Sequence, residues 1–306
     1  MTTSIKGVVV DAEGSAPIVR SDLPAPTPGP GEVLVRVHAS SANPVDNAIA
    51  AGMLVGMIEH EFPVTLGRDY AGVVEEVGAD VTNFAPGDEV FGFVSHADPT
   101  VHKGSWAEVI TLPQDAGIAR KPGNVDLATA GAAPLTGITA MTLVDALELS
   151  AGETVLVVGA TGGVGSLAVQ LAAHAGATVI APALAEDEDF LRELGVKERI
   201  DRDGDMSGVR ADAVLDLVSY APGTFDAALA PGGRVASPNS AAGDGPGRTN
   251  VMAEPSTENL ERLAGLLDAG TLKRHIQDSY DLDRAAEALQ ALGSTHTRGK
   301  LGIRVT

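Results

Sequence analysis

The chain has 306 residues, of which 44% are hydrophobic and 3% aromatic, so a core must be built mainly from Val, Leu, Ile and Ala. A domain takes about 100–200 residues, which predicts two domains, and the apolar fraction excludes a wholly disordered chain. With 41 acids against 21 bases the formal net charge is −20, which argues against nucleic acid or an anionic membrane as a partner. There are no cysteines, which excludes disulfides, thiolate catalysis and Cys-ligated zinc. No apolar run reaches the roughly 18–20 residues of a membrane span. The start, MTTSIKGVVVDAEG, lacks the apolar stretch of a signal peptide, so a cytoplasmic protein is expected.

In chain order, the Pro-rich stretch 24–31 reads as a rigid loop. In 31–43, Val33, Val35 and Val37 alternate with Leu34, Arg36 and His38, the period of a strand. Further strands are predicted at Val73–Val77, Asp88–Val94 and Trp106–Leu112, giving a β-rich first third. The texture changes near Pro122-Gly123. Residues 126–149 read as helical, with Pro134 at a helix start. Strand and helix then alternate. Strands are predicted at Glu153–Val158, Thr178–Ala181, Ala213–Val218 and Gly233–Ala236, and helices at Val164–Ala175 and Asp187–Leu194. This order means parallel strands with crossover helices. A helix at Ser256–Ala269, with Ser256 as N-cap, precedes a strand near His275–Tyr280, a helix at Asp283–Leu292 and a last strand at Leu301–Val305.

The segment most informative about chemistry is ETVLVVGATGGVGSLAVQLAAHAGATVIA, residues 153–181. An apolar strand runs into Gly159, Ala160, Thr161, Gly162, Gly163, Val164 and Gly165, where a helix opens. Glycines permit a tight turn and close approach of a ligand to the backbone. The unsatisfied N–H groups at the helix start then favour an anion, and a pyrophosphate meets that requirement. The following strand completes the βαβ unit of dinucleotide binding. The spacing is G-x-x-G-G-x-G rather than G-x-G-x-x-G, and a tight turn without a ligand is the competing reading.

GATGGVGSLAVQLA, with PLTGITA at 134–140, resembles the medium-chain dehydrogenase/reductase superfamily, and within it the zinc-independent quinone oxidoreductases. LGRDYAGVVEEVG (66–78), GDEVFGF (87–93), LAPGGRVAS (229–237) and RGKLGIRV (298–305) extend the resemblance in family order over nearly the whole chain. It implies an α/β fold: a GroES-like β-rich catalytic domain, 1–123 and 271–306, around a Rossmann doubly wound parallel-sheet domain, 124–270. It further implies a homodimer and NAD(P)H-dependent reduction of a quinone or an α,β-unsaturated carbonyl. Zinc-dependent relatives carry Gly-His-Glu where this chain has Gly67-Arg68-Asp69. The histidines do not cluster at ligand spacing; His96 and His102 are the nearest pair, so no metal site is expected. An acceptor that spreads arriving charge onto its own oxygen needs no Lewis acid. An enoyl reductase acting on a polyketide-like or thioester intermediate is an alternative, and a non-catalytic dinucleotide-binding redox sensor is another.

By the same resemblance Asn43 contacts the nicotinamide ribose or substrate, against an Asx-turn around Pro44. Tyr70 is a candidate proton donor, against a core tyrosine. Thr136 lies near nicotinamide and phosphates, against a helix-start hydroxyl. Met53, Leu54 and Met57 offer apolar contact where relatives carry tyrosines. Ser237, Pro238 and Asn239 follow the fourth strand and suit the carboxamide; Leu217, Val218 and Ser219 leave the third strand and suit the adenosine side. Pro182 and Ala183 stand where an NAD-binding sheet places an acid, and Arg202 is a candidate for a 2′-phosphate, against a surface arginine beside Asp203. NADPH is therefore favoured, with NADH the alternative.

Overall fold

A computed structural model describes residues 4–95, 99–204, 206 and 208–306. His96 therefore lies outside the described residues. The chain divides into two units: Met1–Leu135 with Glu254–Asp268 and Ile276–Thr306, and Thr136–Ala253 with Ala269–His275. The first division falls at Leu135, and the helix Thr257–Asp268 groups with the first unit.

The first unit is β-rich. Its main sheet runs Ile276–Asp281, Lys300–Arg304, Glu32–Ser41, Asp69–Val77, Glu89–Phe93, Ile118–Arg120, and Val109–Pro113 also pairs with Glu32–Ser41. The predicted alternation is visible at Val33, Val35 and Val37, which are wholly buried with Tyr70, Val74, Val90 and Ile118. The chain's last strand lies antiparallel to Glu32–Ser41, pairing Gly302 with Ser41 and Ile303 with Ser40. The C-terminal segment thus returns to the β-rich unit. A smaller sheet joins Ile18–Pro24, Ser4–Val10 and Val64–Thr65.

The second unit is a six-stranded parallel sheet in the order Glu198–Asp201, Thr178–Ala183, Thr154–Val158, Ala211–Asp216, Leu229–Ser237, Arg248–Asn250. In chain order that is 3-2-1-4-5-6, the Rossmann arrangement, and it reverses between Thr154–Val158 and Ala211–Asp216. Leu156, Val158, Ile180, Val214 and Val235 form its core, as continuous apolar strands covered on both faces require. The predicted helices are present as Pro134–Ala146, Gly165–His174 and Glu188–Leu194. Two edge strands, Glu198–Asp201 and Arg248–Asn250, were not anticipated. They are short and largely polar, as exposed edges tend to be, and carry no apolar run to announce them. Among the described residues no helix is long and apolar enough to cross a membrane.

Candidate functional site

The parallel sheet brings three chain segments to the carboxyl ends of neighbouring strands, at the point where the order reverses. The first is the glycine turn. Gly159 has φ +89°, a left-handed conformation that glycine adopts without strain, and it turns the chain out of the strand Thr154–Val158. Gly165 opens the helix, and a Cβ there would lie 2.0 Å from the Gly159 carbonyl oxygen and 2.7 Å from the Ala160 Cα. A side chain at that position would drive helix and strand apart. Gly162 differs: a Cβ there would meet nothing nearer than 3.5 Å, so the space beside it is open to a ligand. The helix ladder begins with Ser166 N–H to the Gly162 carbonyl at 2.9 Å, which leaves the preceding N–H groups outside the helix pattern. Thr161, Gly163 and Val164 complete the turn. One glycine for the turn, one for backbone approach and one for packing are the elements a diphosphate needs.

The second segment, Leu217, Val218 and Ser219, leaves the neighbouring strand. A Cβ on Gly159 would stand 2.9 Å from Val218 Cγ1, which puts Val218 directly against the glycine turn. Asp216, 2% exposed, was not anticipated. Its carboxylate accepts the N–H groups of Val218 at 3.2 Å and Ser219 at 2.9 Å and so sets the path of this loop. The signal available in the sequence was an acid closing an apolar strand, a common start for an Asx-turn. The third segment is Ser237, Pro238 and Asn239. Asn239 donates through Nδ2 to the Leu217 carbonyl at 3.3 Å, tying the two loops together.

At the far side of the sheet, the Arg202 backbone N–H donates to the Ala183 carbonyl, the end of the second strand, at 3.2 Å. Its side chain is 53% exposed and lies 3.6 Å from Asp203. A second cation converges there: Arg199 donates through Nη1 to the Ala183 carbonyl at 2.9 Å and through Nε to Glu188 at 2.7 Å. No carboxylate occupies the strand end itself, which is Pro182-Ala183.

Thr136 lies in the first turn of Pro134–Ala146, and its hydroxyl accepts from Arg274 Nη2 at 2.9 Å. Arg274 is only 9% exposed; its Nη1 donates to the Gly163 carbonyl at 2.9 Å and to Ser166 Oγ at 3.3 Å. Sequence reading gave no hint of this residue.

In the β-rich unit, Asn43 caps the helix Pro44–Ala50, with its backbone N–H donating to Asp46 at 2.8 Å. Its side chain is buried and engaged at both ends: Nδ2 donates to Asp69 at 2.8 Å, and Oδ1 accepts from the Lys300 ammonium at 2.6 Å. Asp69 also accepts from Ser41 Oγ at 2.7 Å and the Leu135 N–H at 2.7 Å. Arg68, wholly buried, donates to the carbonyls of Ser95 and Thr65 at 2.9 and 3.0 Å, and its Nε stands 3.9 Å from Asp46. Burial pushes the Asp46 carboxyl up to about 6, an effect that Arg68, the Asn43 N–H and Lys300 only partly offset. The Asn43 amide thus links Lys300 to Asp69. Tyr70 is the other residue singled out in this unit. It is fully buried, its hydroxyl donates to the Gly117 carbonyl at 2.8 Å, and burial raises its pKa, so it is a core side chain. Met53 and Met57 are 70% and 78% exposed, whereas Leu54 packs on the core.

Residues 29–123 match the alcohol dehydrogenase GroES-like domain, and residues 194–301 match the zinc-binding dehydrogenase family. The chloroplast envelope quinone oxidoreductase homolog of Arabidopsis thaliana is 32% identical over 94% of this chain and 94% of its own length. The NADPH-dependent alkenal/one oxidoreductase of the same plant's chloroplast is 33% identical over 93% of this chain and 75% of its own. The solved structure of the quinone oxidoreductase from Coxiella burnetii is 29% identical, covers 99% of this chain and 100% of its own, and superposes with a TM-score of 0.87. With a GroES-like β-rich unit and a Rossmann unit in one continuous match, this chain belongs to the medium-chain dehydrogenase/reductase superfamily, among its quinone oxidoreductase-like members.

Proposed function

We propose that this chain, an NAD(P)H-dependent oxidoreductase by family, passes hydride to a quinone or an α,β-unsaturated carbonyl. The observation that carries the reading is the glycine turn Gly159–Gly165 at the reversal point of a sheet ordered 3-2-1-4-5-6. When bound, the reduced nicotinamide supplies the hydride. The turn Gly159–Gly165 would hold the diphosphate, with Leu217–Ser219 and Ser237–Asn239 flanking it as loops from the two adjoining strands. Pro182-Ala183 carries no acid, and Arg199 and Arg202, though paired with Glu188 and Asp203, stand beside that strand end; on these grounds we read NADPH over NADH. The names of the relatives support the same acceptor classes: one a quinone oxidoreductase homolog, another an alkenal/one oxidoreductase.

The residues around Gly67-Arg68-Asp69 do not suit zinc. There is no cysteine, and the carboxylates nearest Gly67-Arg68-Asp69 already face fixed cations, Asp46 with Arg68 at 3.9 Å and Asp69 with Lys300 at 3.6 Å. A metal would have to displace those cations or sit against them. Reduction without a Lewis acid suits a conjugated acceptor, whose own oxygen takes the charge. We therefore read the enzyme as zinc-independent. The GroES-like unit is assigned the catalytic part and the Rossmann unit the cofactor part.

The test is a panel of quinones and enones mixed with the protein and NADPH or NADH, with loss of the reduced cofactor followed by absorbance. Oxidation of NADPH by at least one class is expected. Binding of nucleotide with no turnover across the panel would overturn the reading and favour a redox sensor. Zinc at one equivalent per chain would overturn the metal-free part. Cytoplasmic location and a homodimer stand as proposals, checked by cell fractionation and by light scattering.

A further inference from the structure

The peptide linking Gly163 to Val164 sits in the middle of the turn, with Gly163, which restricts rotation little, on one side and Val164, at φ −74°, on the other. Its carbonyl is held by the Arg274 guanidinium at 2.9 Å, and the same Nη1 reaches Ser166 Oγ at 3.3 Å. The other end of the guanidinium, Nη2, is fixed on Thr136 Oγ1 at 2.9 Å. Thr136 and Ser166 are themselves buried, at 6% and 1% exposure, so both anchors lie away from solvent. In a trans peptide the C=O and N–H point in opposite directions. A carbonyl drawn towards Arg274 therefore aims the Val164 N–H the other way, out of the turn. Two anchors on a planar fork also fix the guanidinium's orientation, which a single ammonium would not achieve.

We propose that Arg274 is a positioning residue for the nucleotide: it clamps the Gly163–Val164 peptide plane so that the turn presents N–H, not C=O, to the diphosphate. The proposal rests on the dinucleotide reading above. A plane tilted away from this orientation would aim the N–H less directly at the anion, so the clamp acts on nucleotide affinity. Three contacts from one buried side chain, contributed by the segment Ala269–His275, also explain why that segment belongs to the Rossmann unit.

The experiment compares wild type with Arg274→Met, Arg274→Lys and Thr136→Val. NADPH binding is measured by fluorescence, steady-state kinetics with an enone give KM for each substrate, and crystals are grown without nucleotide. Losing a charge-assisted hydrogen bond that sets a binding turn weakens NADPH binding by about 10- to 100-fold in Arg274→Met. Arg274→Lys restores part of it, and Thr136→Val, which removes one anchor, weakens binding less. KM for NADPH rises more than kcat falls, while KM for the enone holds; a merely structural role would move these together with the melting temperature. In the nucleotide-free Arg274→Met crystal the Gly163–Val164 plane is turned or takes several orientations. An unchanged plane, or NADPH affinity equal to wild type, overturns the clamp. If wild type itself binds no nucleotide, the dinucleotide reading fails, and the nucleotide-free crystals decide the clamp by themselves. Should Arg274→Met not fold, Thr136→Val carries the same test.

Discussion

The Lys300 ammonium donates to the Asn43 side-chain oxygen at 2.6 Å, and also to the Ala42 carbonyl at 2.6 Å. It joins the last strand of the chain to the loop before the helix Pro44–Ala50. Lys300 is 3% exposed and stands 3.6 Å from the buried Asp69. Removing one member of such a set leaves an uncompensated buried charge, which costs about 3–5 kcal/mol. Lys300→Met is expected to lower unfolding stability by that amount, measured by urea denaturation at neutral pH. A loss no larger than that of an exposed ion pair, under about 1 kcal/mol, would contradict the role given to Lys300.

Asp46 makes the β-rich unit sensitive to pH in a direction opposite to that of an ordinary paired carboxylate. Its pKa is raised from 3.8 to about 6 in the fold, chiefly by burial. Between those two values the folded chain holds a proton that the unfolded chain releases. The stabilisation is fully present below the unfolded value and is lost as pH rises through the folded one. Asp46→Asn abolishes the titration while keeping an oxygen to accept the Asn43 N–H. The stability of wild type minus that of Asp46→Asn should therefore fall by about 2 kcal/mol between about pH 4 and pH 7. Guanidinium denaturation of both proteins across that range measures it, and a difference that is flat or climbs with pH contradicts the assignment.

Legibility from sequence depended on how far away a residue's partners lie. The strand Thr154–Val158, the glycine turn and the helix after it are contiguous, so the apolar run and the glycines together announced them. The edge strands Glu198–Asp201 and Arg248–Asn250 have no buried face to impose a pattern. Arg274 was invisible because its partners Gly163, Ser166 and Thr136 lie 111, 108 and 138 positions earlier. The same distance effect hid the partners of Asn43 and Tyr70. The polar atoms they meet, on Lys300 and Gly117, are supplied from 257 and 47 positions away.

Gly162 and Gly165 separate folding from binding within one turn. A Cβ on Gly165 would lie 2.0 Å from the Gly159 carbonyl oxygen, so Gly165→Ala must displace backbone. It is expected to destabilise the protein by several kcal/mol, on the scale of about 1–3 for overpacking and occasionally more. Gly162→Ala meets only the Gly159 oxygen at 3.5 Å, an ordinary contact, and its backbone is outside the left-handed region. Its melting temperature should match wild type. Its methyl group would nevertheless enter the space where the diphosphate approaches, and NADPH binding should weaken by about tenfold or more, equivalent to some 1.4 kcal/mol. Fluorescence titration alongside thermal melting reads both. Equal NADPH affinity in Gly162→Ala would remove the diphosphate from this turn.

Tyr70 discriminates between a proton donor and a core residue. Its hydroxyl is bound to the Gly117 carbonyl at 2.8 Å, and the residue has no exposed surface. Transfer of that proton would leave a phenolate in the β-rich core, which burial opposes by raising the pKa. Tyr70→Phe keeps the ring and its packing against Val74, Val90 and Ile118 and removes only the oxygen. The Gly117 carbonyl then lacks this partner, so stability should drop by about 1–2 kcal/mol. Turnover of an enone with NADPH should stay within about twofold of wild type, because loss of a general acid typically costs 10²–10⁴-fold. A hundredfold fall in kcat with unchanged stability would return Tyr70 to the chemistry and require the Gly117 bond to break during the reaction.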